Sequence, residues 1–117
     1  MQTLPYALKP NASAVEQLKW RLNWGEPALT IVDVRDRELF RSERISGAVS
    51  MPMDELVASA SSTFEAIRDI YIYGESEEQA TQAASLLSDA GFESVISIPG
   101  GLKAWKGVSG SVEGINA

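Results

Sequence analysis

Three short runs constrain this chain more than anything else in it. Residues 29–34 read LTIVDV, residues 70–73 read IYIY and residues 95–98 read VISI, and all three are dominated by aliphatic, β-branched or aromatic side chains. Continuous apolar runs like the first two mark buried strands, the kind that parallel sheets use, and the third reads as a final strand. Between them lie stretches with helical spacing. Ser13 and Glu16 have the S-x-x-E spacing of a capping box, with Val15, Leu18 and Leu22 along one helical face and Gly25 as a stop. Trp20 and Trp24 read as partly buried anchors of this helix. Ser76 and Gln79 repeat the signal as S-x-x-Q, ahead of Ala80, Ala83, Ala84 and Leu87 on one face, and Gly91 closes that helix.

Strands that alternate with helices imply right-handed crossovers and helices on both faces of the sheet. The sequence also predicts a helical turn near 37–41, a bend at Ser46 and Gly47, a short strand over 48–51 ended by Pro52, and a helix over about 55–60 capped by Asp54. It reads 59–63 as a polar connector, places a short helix at LKAW after Pro99-Gly100-Gly101, treats 1–12 as an extended lead-in, and leaves 107–117 as a mobile Gly/Ser-rich tail. Ligands of such sheets sit at the carboxyl ends of the strands, so the loops after Val34 and after Tyr73 share one rim.

Composition then removes whole classes of chemistry. The chain has 117 residues and contains neither cysteine nor histidine. Thiol catalysis, disulfides and thiolate metal sites are excluded, and so is the commonest general base. The carboxylates lack a metal-ligand spacing, so no metal site is expected. The net charge is −6 and the 10 basic residues are scattered, which argues against nucleic acid as a partner. No apolar run has membrane-span length, and MQTLPYALKPNAS lacks the pattern of a signal peptide, so a cytoplasmic location is expected.

Read together, IVDVRDRELF, ERISGAVSMPMDEL and DIYIYGESEEQATQAASLLSDAGFESVISIPGGLKAW resemble the rhodanese-like domain family over about 13–106. The marks are Asp33-Val34-Arg35 at a strand end, Ile45-Ser46-Gly47-Ala48 followed by Met51-Pro52 and an acidic helix start, and the ending from Gly91-Phe92 to Gly100, Gly101 and Trp105. The resemblance implies a single α/β domain over 1–117, with a central, largely parallel five-stranded sheet flanked by helices on both faces.

Active members of that family place a cysteine directly after the central strand, in a loop of amides ahead of a helix. Registered on Leu86-Leu87 and on Gly91-Phe92, the matching residue here is Gly74. A slip of one residue falls on Tyr73 and gains no thiol. The late arginine of the family loop falls at Gln79, and Glu75, Glu77 and Glu78 line the loop. Acids in a first helical turn also serve as ordinary caps. Ser76 is a nucleophile only with an activating base, and none is recognisable.

The expected site is a vestigial loop, Gly74, Glu75, Ser76, Glu77, Glu78 and Gln79, with Arg35 and Arg44 alongside and Asp33 as a structural neighbour. Arg37, Arg41 and Arg44 read either as a small basic patch or as a solvated face. Glu75 or Ser76 is expected to fold over the loop amides and satisfy them. The expectation is a catalytically inactive, monomeric binding or regulatory module with no cofactor and a protein partner of basic character. The alternatives are a sulfurtransferase or phosphatase-like enzyme of the same family without cysteine chemistry, and a structural subunit that docks around Trp20 and Trp24.

Overall fold

The computed structural model describes residues 13–23 and 28–117; the lead-in, Trp24 and the Gly25 stop lie outside the described residues. In chain order the elements are α1 (Ala14–Asn23), β1 (Leu29–Asp33), α2 (Arg37–Ser42), β2 (Arg44–Ile45), β3 (Val49–Ser50), α3 (Leu56–Thr63), β4 (Asp69–Tyr73), α4 (Glu77–Asp89), β5 (Ser94–Ser97), α5 (Gly101–Gly107) and β6 (Val112–Glu113). Four strands form the central sheet in the order β3-β1-β4-β5, and every neighbouring pair is parallel. Register sets Asp33 opposite Tyr73, so the ends of β1 and β4 lie side by side.

The apolar runs of β1 and β4 are largely buried as their composition requires, whereas β5, at the sheet edge, is half-buried. On one face Val32, Val34, Ile70 and Ile72 pack against Leu56 and Ala60 of α3, Ala83 and Leu87 of α4, and Phe92. On the other, Ile31, Tyr71 and Tyr73 meet Val15 and Leu18 of α1 and Trp105 of α5. Each large side chain so buried contributes about 1.5–3 kcal/mol. Both helices start where their spacing predicts, and at α1 the capping box is complete. The Glu16 carboxylate accepts from the Ser13 N–H at 3.1 Å, and Ser13 Oγ accepts from the Glu16 N–H at 3.2 Å. Helix α4 ends in a Schellman turn: Gly91 sits at φ 102°, its N–H bonds the Ser88 carbonyl, and the Phe92 N–H bonds the Leu87 carbonyl.

Several expectations need correction. The central sheet has four strands rather than five. A turn at Ser46 and Gly47, with Gly47 at φ 86°, splits residues 44–50 into two strands with different partners. β3 joins the sheet, whereas β2 pairs antiparallel with β6, Arg44 opposite Glu113 and Ile45 opposite Val112.

The segment read as a mobile tail is therefore built into a ribbon. Beyond it, the N–H groups of Ile115 and Asn116 bond the carbonyls of Arg41 and Ser42 at the end of α2. Residues 59–63 are helical because Leu56 and Ala60, one turn apart, are fully buried and hold the helix over its polar residues. The cap of α3 is Glu55, not Asp54, and its side chain makes no cap bond. Leu22 is 37% exposed and does not continue the buried face of Val15 and Leu18.

Candidate functional site

At the carboxyl rim the end of β1 is tied together by a buried ionic network. The Asp33 side chain is fully buried and accepts from the Arg35 backbone N–H at 2.9 Å, from Arg35 Nε at 3.1 Å and from an Arg35 terminal nitrogen at 2.7 Å. The same guanidinium donates to the Glu43 carbonyl at 2.7 Å and lies 5.4 Å from the centre of the Tyr73 ring. Burial works to lower the Arg35 pKa, but the hydrogen bonds and charge of Asp33 outweigh it and hold the group above its ordinary value.

Tyr73 completes the network. Its hydroxyl accepts from the Ile45 N–H at 3.2 Å, and the residue pairs in register with Asp33 across the two strands. Burial, and then the neighbouring Asp33 charge, push this hydroxyl well above the usual tyrosine range. The sequence marks Tyr73 as a packing residue, and the structure makes it the link between β4, β1 and β2.

Strand β4 then hands the chain to Gly74 and the loop. Ser76 is the N-cap of α4, and its Oγ accepts from the Gln79 N–H at 3.1 Å. The Gln79 side chain reaches back, and its Oε1 accepts from the Glu75 N–H at 2.8 Å. Satisfaction from within the loop thus comes from Ser76 and Gln79, with the Glu75 carboxylate taking no part. Glu75, Ser76, Glu77 and Glu78 are all exposed, and Gln79 is half-buried. On the inner side Gly101, at φ 51°, lets α5 approach closely: a Cβ there would stand 3.1 Å from the Gly74 carbonyl oxygen. A small hollow of about 60 Å³ beside the loop is lined by Glu77, Ala80, Thr81, Ser97, Ile98 and Pro99. A wider one, about 570 Å³, lies at the opposite end of the strands, around Phe64, Ile67 and Arg68.

Arg44 and Arg37, expected at this rim, have internal partners. Arg44 Nε meets Glu113 at 3.2 Å, another of its nitrogens donates to the Phe40 carbonyl, and its guanidinium lies 4.6 Å from the Phe40 ring centre. Arg37 makes a two-pronged pair with Glu55 at 2.7 and 2.8 Å, which holds the Glu55 carboxyl below its ordinary range. The loop and the Asp33–Arg35 pair are thus neighbours on one rim, yet the guanidinium is turned into the fold while the glutamates face out. Such a rim can present negative charge on an ordered edge, and it disfavours small anions.

A family model described as the rhodanese-like domain matches residues 14–107. The crystal structure of the Alr3790 protein from Anabaena sp. is 52% identical, with a TM-score of 0.84, over 88% of this chain and 92% of that one. The putative sulfur carrier protein YrkF of Bacillus subtilis is 31% identical over 102 residues, which is 83% of this chain and 54% of that protein. The Centrosomal protein of 41 kDa of Danio rerio is 35% identical over 81 residues, 62% of this chain and 22% of that protein. The chain therefore spans less than two thirds of the length of these two curated relatives.

Proposed function

This chain belongs to the rhodanese-like domain family, and we propose that it is a member without sulfur-transfer chemistry that works as a protein-binding module through its loop of residues 74–79. The observation that carries the reading is a chain with no cysteine at all, in which Gly74 follows the strand β4 ahead of α4, the position that the resemblance assigns to the family's nucleophile. No other group takes over the role. Ser76 Oγ is committed to capping the Gln79 N–H, and the chain has no histidine to activate it. Arg35, at the end of the neighbouring strand, is bound to Asp33 and the Glu43 carbonyl. The loop offers instead three exposed carboxylates, Glu75, Glu77 and Glu78, on the end of a capped helix. Charge of one sign on an ordered edge favours a partner with a basic surface and speeds the encounter.

Thiosulfate-to-cyanide sulfur transfer and generic phosphatase turnover should both stay at background for the purified chain. Steady turnover proportional to protein would overturn the reading. The Gly74→Cys variant should also stay near background, because the glutamates disfavour both a thiolate and an anionic donor. A fast Gly74→Cys enzyme would refute that electrostatic account. Pull-downs compare wild type with a Glu75→Lys, Glu77→Lys, Glu78→Lys triple variant. Loss of a basic partner from the variant supports the loop as the docking edge, whereas identical partner sets place docking elsewhere.

A further inference from the structure

We infer that Gln79 is a built-in occupant of this loop, and that position 74 is glycine because Gln79 needs its space. Two independent observations meet at one atom. Oε1 of Gln79 accepts the Glu75 N–H at 2.8 Å. A Cβ built on Gly74 would lie 2.4 Å from that same oxygen and 3.1 Å from Cγ and Cδ of the same side chain. Non-bonded heavy atoms settle at about 3.5–4.0 Å, so any side chain at 74 and the observed Gln79 conformation exclude each other.

The backbone gives no competing reason for glycine. Among the described residues the glycines with left-handed φ are Gly47, Gly91, Gly100, Gly101 and Gly114, and Gly74 is not one of them. Glycine at 74 thus reflects occupied space and not backbone conformation. Ser76 fixes Gln79 from the other side through its N–H, so the residue is held at backbone and side chain alike.

This arrangement has a consequence for the loop. A carbonyl oxygen carries partial negative charge, and here it satisfies an amide just ahead of a helix N-terminus without bringing a full charge. The loop is therefore shaped by the chain itself. Its glutamates stand on an edge already formed, and a partner that docks there spends less on ordering it. The lock deepens the docking reading and depends on it only for its purpose, since the geometry stands without a partner.

Amide hydrogen exchange at Glu75, followed by NMR on the full chain, tests the lock. Gln79→Ala removes the acceptor, and Gly74→Ala displaces it. Each should speed Glu75 exchange by about five- to tenfold, the loss of one ordinary hydrogen bond. The double variant should exchange no faster than either single one, because both changes break the same contact. Gln79→Glu keeps an acceptor at the same reach and should keep the protection.

Wild-type exchange in Gly74→Ala, or multiplying effects in the double variant, would overturn the proposal. Should Gly74→Ala fail to fold, the contrast between Gln79→Ala and Gln79→Glu still decides it: equal exchange in those two also refutes the lock. A failed pull-down with Glu75 protection intact would sink docking alone. Unprotected Glu75 in wild type would sink the lock alone, whatever the pull-down returns.

Discussion

At the end of β1 the charges of Asp33 and Arg35 are turned inward, bonded to each other, with the guanidinium bonded to the Glu43 carbonyl and set against the Tyr73 ring. At the end of β4, the neighbouring strand, the charges of Glu75, Glu77 and Glu78 are turned out to solvent. The two clusters share a rim and are joined through Tyr73, which is the last residue of β4 and a partner of Asp33. One cluster is architecture: it fixes where β1, β4 and β2 stand relative to one another. The other is surface, and its charges can be exchanged without touching the core. A scaffold built this way can lose or change its chemistry at the second cluster while the first keeps the loop in position.

Breaking the inward cluster should give the largest effect. Asp33→Ala leaves the Arg35 guanidinium, whose side chain is 9% exposed, without its counter-ion and strips the Arg35 N–H of its acceptor. Removing one member of a buried pair costs about 3–5 kcal/mol, a large share of the stability of a domain this size. Urea unfolding should report that loss, and it should persist in 1 M NaCl, because buried pairs are poorly screened. A deficit under about 1 kcal/mol would mean that the pair is not what holds the rim.

Tyr73→Phe is milder and carries a pH signature. The buried hydroxyl accepts the Ile45 N–H, so its removal leaves that N–H without its acceptor and should cost about 1–3 kcal/mol near neutral pH. The folded-state pKa of this hydroxyl is raised, so the native state keeps a proton that the unfolded chain releases above about pH 10. The stabilisation is complete below that pH and falls as pH rises past it. The difference between wild type and Tyr73→Phe in urea midpoint should therefore narrow between about pH 10 and 11. A gap that stays constant over this range would show that the hydroxyl does not hold its proton in the fold.

What the sequence revealed, and what it hid, follows the same division between inside and outside. Strands β1 and β4 were legible because burial on both faces leaves continuous apolar runs, and the starts of α1 and α4 because caps are local. The ribbon of β2 and β6 was not. Two-residue strands carry no periodicity, and their partners are far apart in the chain. The tail was misread because glycine signals flexibility and close approach alike. A Cβ on Gly110 would fall 2.1 Å from the Trp105 ring, and one on Gly114 would fall 2.5 Å from the Ser42 carbonyl oxygen.

At the site, the strand-loop-helix was legible around Gly74, but no spacing rule states which way a side chain turns. Arg35 lies on the expected rim and faces inward. Gln79 was read as half of a capping box, which would send its side chain to the N-cap N–H. It reaches one residue further, to Glu75, because Gly74 leaves room for it.

The smallest effect should come from the outward cluster, and its salt dependence is what sets the two clusters apart. Glu77 lies in the first turn of α4, where a carboxylate favours the positive end of the helix dipole. Glu77→Gln should lower stability by only about 0.3–1 kcal/mol in dilute buffer. In 1 M NaCl, where the screening length is about 3 Å, that loss should vanish while the Asp33→Ala loss remains. Urea unfolding of both variants at the two salt concentrations checks the pair of expectations in one experiment. If Glu77→Gln kept its deficit at high salt, its carboxylate would have a close partner within the fold, and Glu77 would belong with Asp33 as architecture, leaving two carboxylates on the docking edge.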